Sequence, residues 1–292
     1  MMLSMKRYCG KNWTDDDLDQ IRALIRTNAT DTRAKLSRKV CEIFDWRKPD
    51  GKLKDMSCRV AMLKMHRDGI IELPSPTRLA PKPYKPIHSE ACDPADEWHG
   101  VVTDLKELTI EPVSRGQGLR LWNDFMARYH YLGYKMLPGA QCRYFIKDGN
   151  RFLGLMGFGA AAWKVAPRDN FIGWNKSTRE MNLHLIVGQS RFLILPWIHC
   201  KNLASKSLAM VRGRLPDDWD CFHGYRPVLM ETFVENGRFS GTCYKADNWS
   251  LVGNTQGRGK LDRFHTKSVP VKSIWLKALA TDFREQLTGR QP

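Results

Sequence analysis

One carboxylate, Glu231, stands at the centre of the apolar run Val-Leu-Met-Glu-Thr-Phe-Val over residues 228–234. Burying a bare charge is expensive, so a carboxylate there faces solvent, pairs with a cation or titrates abnormally. Lys201, Tyr244 and Arg258 are the partners that a mixed sheet can bring to it. Held among cations, Glu231 stays ionised and can position a metal, a water or a substrate amine, which makes it a catalytic candidate. Asp169 is a second catalytic candidate. With Glu231 and Asp218 it supplies the oxygen ligands that a divalent metal needs for phosphodiester hydrolysis, although salt-bridge and turn roles account for the same acids.

The other available chemistry is electrostatic. Lys52, Lys54, Arg59, Lys64 and Arg67 cluster in a predicted helix and its lead-in. Arg258 and Lys260 sit in the polar stretch Asn-Thr-Gln-Gly-Arg-Gly-Lys (254–260), where glycines let backbone approach a phosphate closely. Lys201 follows a predicted strand. These eight cations are the candidate DNA-binding set.

The whole-chain charge favours that reading. The 292 residues carry 47 Lys and Arg against 31 Asp and Glu, a net charge of +16, which points to a polyanionic partner and foremost to nucleic acid. A hydrophobic share of 42% excludes a wholly disordered chain. No run approaches a bilayer span, and residues 1–13 lack a signal-peptide core, so a cytoplasmic protein without membrane partners is expected. The eight cysteines include no Cys-x-x-Cys pair and read as reduced thiols. His199, Cys200, Cys221 and His223 come nearest to a metal cluster, but their spacing is too tight for a zinc finger.

Three helices are predicted to position the basic cluster. Thr14 caps the first, about Asp15 to Thr27, whose first turn is acidic. Thr30 or Asp31 caps the second, which ends near Trp46. The third runs from about Asp55 to Asp68 and closes at Gly69. A short apolar arm at Ile70, Ile71 and Leu73 follows. Three helices and an arm outline a winged helix-turn-helix over residues 1–73, whose third helix enters the major groove; a small helical interaction module fits the same outline. Pro74, Pro76, Pro81, Pro83 and Pro86 forbid helix, so residues 74–113, proline-rich and then acidic, are expected to be a linker.

From residue 114 to 292 the helix and strand patterns mix. A helix over Leu119–Tyr131 precedes a hairpin of Cys142–Ile146 and Phe152–Phe158 turning at Asp148-Gly149. Strand-like runs at Leu183–Val187 and Phe192–Ile198, a helix over Leu203–Arg214, the Glu231 strand and a short helix in Phe239–Trp249 complete the order. The expected class is α+β: a winged helix-turn-helix joined to a larger mixed domain.

That order resembles the GNAT acyltransferase fold, in which backbone amides of a glycine-containing turn hold the acyl-CoA pyrophosphate. Here the turn reads Cys-Lys-Asn-Leu-Ala-Ser (200–205), without glycine, so acyl-CoA is not a firm expectation. Tyr244 falls where that fold often carries a tyrosine acid, and it is the third catalytic candidate. In its strings the chain resembles the DruA family: Leu-Lys-Asp-Met-Ser-Cys-Arg-Val-Ala (53–61), Arg-Phe-Leu-Ile-Leu-Pro-Trp (191–197), Gly-Tyr-Arg-Pro-Val-Leu-Met-Glu-Thr-Phe-Val (224–234) and Gly-Thr-Cys-Tyr-Lys-Ala-Asp-Asn-Trp (241–249). The resemblance implies a DNA-directed role in prokaryotic anti-phage defence or mobile elements, with a defence-system helicase or a transposase as partner. A metal-dependent nuclease or nickase, and an acyltransferase acting on a macromolecule, stay open as alternatives.

Overall fold

The structure, a computed structural model, describes residues 5–48, 51–77, 86–257 and 269–289. The chain divides into two compact units, Met1–Tyr84 and Lys85–Pro292.

The first unit opens with a hairpin of β1 (Lys6–Tyr8) and β2 (Lys11–Trp13), turned by Cys9 and Gly10, both at positive φ. Then come α1 (Asp15–Thr27), α2 (Arg33–Ile43) and α3 (Asp55–Arg67). Thr14 and Asp17 form a reciprocal capping box: Asp17 N–H donates to Thr14 Oγ1 at 3.2 Å, and Thr14 N–H donates to the Asp17 carboxylate at 2.8 Å. Replacing Thr14 by alanine is expected to cost about 1 kcal/mol. A lower urea midpoint with an unchanged slope would register that loss.

Trp13, Leu18, Ile21, Leu36, Val40, Met62 and Met65 form the core of this unit. The second helix starts later than its expected cap, because Thr32 accepts from the Lys35 N–H. The arm after α3 is not a strand. Ile71 and Leu73 are buried, the Ile70 N–H donates to the Met65 carbonyl, and Arg22 Nε donates to the Ile70 carbonyl. Its backbone groups are satisfied by α3 and by the Arg22 and His66 side chains rather than by a strand ladder, and its apolar side chains settle on the helices. The unit's hairpin precedes α1 rather than following α3.

In the second unit the chain runs through β3 (Trp98–Val101), β4 (Leu108–Pro112), α4 (Gln117–Tyr129), β5 (Gln141–Asp148), β6 (Arg151–Ala160), α5 (Ala166–Ile172) and α6 (Lys176–Asn182). It continues through β7 (Ile186–Ile194), β8 (Ile198–Lys201), α7 (Leu203–His223), β9 (Leu229–Glu235), α8 (Thr242–Ala246), β10 (Ser250–Asn254), β11 (Lys272–Ala278) and α9 (Phe283–Thr288). Seven strands form one sheet in the order β10-β11-β9-β7-β6-β5-β4. Its ladders are antiparallel except β7–β9, whose parallel pairing requires a crossover; α7 lies in that connection. β3 and β8 form a separate parallel pair.

Residues 108–112 are therefore an edge strand and not part of a linker, and Cys92 is already in the core. Of the acids in that segment only Glu111 lies on β4, whose alternate side chains face water; Asp93, Asp96, Glu97, Asp104 and Glu107 stand exposed before it. Trp122, Phe125 and Met126 of α4 pack into one core cluster with Val211, Leu215 and Trp219 of α7. Val165, Ile172, Trp174, Phe283 and Leu287 form another with Leu229 and Ile274. The eight cysteines are free thiols, and among the described residues no helix is long and apolar enough to cross a membrane.

Candidate functional site

The basic cluster of the first unit is built on α3. Cys58, Ala61, Met62 and Met65 are buried, and at 100° per residue they occupy one side of the helix. The other side carries Met56, Val60, Lys64 and Arg67, all exposed, with Met56 59% and Val60 44% accessible. Two cations and two apolar side chains thus share one solvent-facing stripe. Arg59 flanks it and donates to Asp55 at 3.3 Å, one turn earlier. Lys54 is the N-cap residue and Lys52 lies exposed in the lead-in. At the far end, Tyr8 donates to Asp68 at 2.6 Å, a bond that pushes the phenol up to about 12. A helix of this width fits a major groove, where Lys and Arg meet phosphates and apolar groups meet thymine methyls. Lys201 is the last residue of β8 and exposed; Arg258 and Lys260 lie outside the described residues.

Glu231 and Asp169 come together through Arg168. Glu231 and Arg168 are both completely buried, and the guanidinium donates to Glu231 Oε2 at 2.8 Å. The other Glu231 oxygen accepts from the Ala162 N–H at 2.7 Å. Arg168 also donates to Asp169 Oδ1, as does Trp174 Nε1, while Arg179 donates to Asp169 Oδ2. Burial raises the Glu231 pKa, opposed by the Arg168 charge. The partner of Glu231 is thus Arg168 rather than Lys201 or Tyr244, and the carboxylate lies in no open cleft. The network fastens residues 162–169 to β9.

The proposed metal acids do not gather. Asp218, on α7, accepts from Tyr144 and Arg214 instead of joining Asp169 and Glu231. Tyr244 lies 7% exposed between Trp249 and Trp275 in the hydrophobic core, and burial raises its pKa above the ordinary phenol range. His199 and Cys200 precede α7 while Cys221 and His223 end it, so about 30 Å of helix separates the two pairs.

Two half-buried arginines escaped the sequence reading. Arg143 on β5 and Arg191 on β7 line a narrow cavity with Trp122, Gly157 and Lys135. A Cβ at Gly157 would meet the Trp122 ring at 3.0 Å and Arg191 Cβ at 3.3 Å, so only glycine lets both lie against the sheet. Among the described residues no carboxylate forms a salt bridge with either guanidinium; Arg143 donates to Gln141 and sits over the Trp122 ring, and Arg191 donates to the Ser190 carbonyl. Burial lowers both pKa values. Arg143 stands in the apolar run Cys142–Ile146 and so carried the signal that singled out Glu231, whereas Arg191 follows Gln189 and Ser190 and carried none.

His130 is buried close enough to Arg191 to be affected by its charge. Burial, then the charges of Arg191 and Arg238, push its pKa down to about 4, and Nδ1 accepts from the Leu132 N–H at 3.1 Å. The unfolded chain therefore takes up a proton below about 6.5 that the folded chain refuses until about 4. Stability should fall as pH drops through this window and level off beneath it. A His130→Gln variant should lose that part of the pH dependence in thermal melts; an identical profile in both proteins would exclude His130 as the source.

Together these features define a two-unit α+β protein, with an exposed basic helix in the smaller unit and a mixed seven-stranded sheet in the larger. A sequence profile described as Druantia protein DruA matches residues 64–278, and the chain belongs to that family. The match begins within α3, so α1 and α2 lie outside it. No curated protein matches the chain. Among solved structures, the chain is similar to the ribosomal-protein-S18-alanine N-acetyltransferase from Escherichia coli, with TM-score 0.38, 7% identity and coverage of 60% of this chain and 95% of that one. It is also similar to a probable GNAT-family acetyltransferase from Chromobacterium violaceum, with TM-score 0.37, 9% identity and coverage of 69% and 98%. Likenesses this distant carry no chemistry across.

Proposed function

We propose that this chain is a DNA-binding component of Druantia-type anti-phage defence, in which α3 of the first unit lies against duplex DNA. One observation carries the reading: Lys64 and Arg67 share the solvent-facing side of α3 with exposed Met56 and Val60. Exposed apolar and cationic side chains on one stripe offer a surface to a partner, and the net charge of +16 favours a polyanion. Three consecutive helices of which the last is the basic one support a reading in which α3 is the element that meets the duplex. In the larger unit Lys201 and the Arg143–Arg191 pair add cations for phosphate, and a helicase or transposase partner would supply processing.

The nuclease alternative has lost its ligand set, since Asp218 stands apart from Asp169 and Glu231. No observation favours the acyltransferase alternative, because the turn entering α7 has no glycine. The proposal is tested by fluorescence anisotropy of a labelled random-sequence duplex titrated with the full chain. Saturable binding at low salt is expected; absence of binding removes the reading.

A further inference from the structure

We propose that Glu97, His99 and His199 form a zinc site open to solvent on the β3–β8 pair. The parallel register sets His99 directly opposite His199, and their rings stack with centroids 4.5 Å apart and planes within 16°. Glu97, two residues before His99, places Oε2 3.1 Å from His99 Nε2. One ligand atom from each of the three side chains lies within 4.8 Å of the others. Trp98 and Ile198 pack on the core, so alternation along both strands turns the two imidazoles outward.

Zinc binds imidazole nitrogen and carboxylate oxygen at about 2.0–2.2 Å, which requires the three ligand atoms to draw somewhat closer. Glu97 and His99 are 69% and 65% exposed and His199 is exposed, so the adjustment needs only side-chain rotation at a surface. Two imidazoles with one carboxylate suit zinc and its borderline neighbours better than magnesium or calcium, which prefer all-oxygen shells. Three protein ligands leave a position for water, the arrangement of an open site rather than a closed structural one. His199 was in view at the sequence level, but with the wrong companions. Cys200, the next residue on β8, faces away, and Cys221 and His223 lie at the far end of α7.

The test is isothermal titration of the chelator-treated, dialysed full chain with zinc chloride. One equivalent should bind per chain. His99→Ala and His199→Ala should each weaken binding more than about 100-fold, and Glu97→Gln by about 10-fold or more, since even outer partners of metal ligands carry effects of that size. All three side chains are exposed, so the variants should keep the wild-type circular dichroism. Substituting cobalt reads the donor set independently: weak visible bands without an intense thiolate charge-transfer band are expected. No zinc binding by the wild-type chain, unchanged affinity in any of the three variants, or a strong thiolate band would overturn the site.

Discussion

Replacing Lys64 and Arg67 together by glutamate should weaken duplex binding by roughly 10- to 100-fold, the equivalent of about 1–3 kcal/mol for helix contacts of this kind. Both side chains are exposed on the outward stripe of α3, opposite the buried Cys58, Met62 and Met65. Their reversal removes two phosphate partners and adds like-charge repulsion without touching the core. Arg67 lies in the last turn of α3, where a cation favours the helix dipole, so its reversal costs about 0.3–1 kcal/mol of stability. The corresponding alanine variants, which add no repulsion, should weaken binding less and serve as the check on fold. Arg59 is better left intact, because a glutamate there would oppose Asp55 one turn away. Unchanged affinity in the double reversal would mean that α3 does not face the DNA.

The largest expected change in stability comes from Arg168. Substituting methionine leaves Glu231 and Asp169 without the guanidinium that joins them, and Glu231 is completely buried. Breaking one side of a buried pair costs about 3–5 kcal/mol, because the remaining charge must be desolvated or protonated. Glu231→Gln should cost less, since an amide oxygen can still accept the Ala162 N–H. Replacing both residues by apolar ones of similar volume should recover part of the loss. Urea denaturation of the three variants distinguishes these outcomes. A neutral Arg168→Met would show that the network does not hold residues 162–169 on the sheet.

Local signals were readable from sequence where the physics is local. Thr14 with three following aspartates marks the start of α1, and Asp148-Gly149 marks the β5–β6 hairpin. Glu231 was conspicuous as a charge in an apolar strand. Its partner was not, because Arg168 lies 63 residues earlier on a short helix whose place is set by packing. The same distance problem hid β11, which pairs with both β9 and β10 yet follows a polar stretch that reads as loop. β4 reads as linker because it is a five-residue edge strand that follows an exposed acidic stretch and ends in proline. His99 and His199 are brought side by side only by a parallel strand pair, a contact that no spacing rule encodes.

The most direct test of DNA binding through α3 is the salt dependence of affinity, compared between the wild-type chain and the Lys64→Glu/Arg67→Glu variant. Binding that neutralises phosphates releases counterions, so the logarithm of affinity should fall linearly and steeply with the logarithm of salt concentration. The variant's slope should be shallower by about two, one unit for each lost phosphate contact. A flat response in the wild-type chain, or equal slopes in the two proteins, would contradict the account.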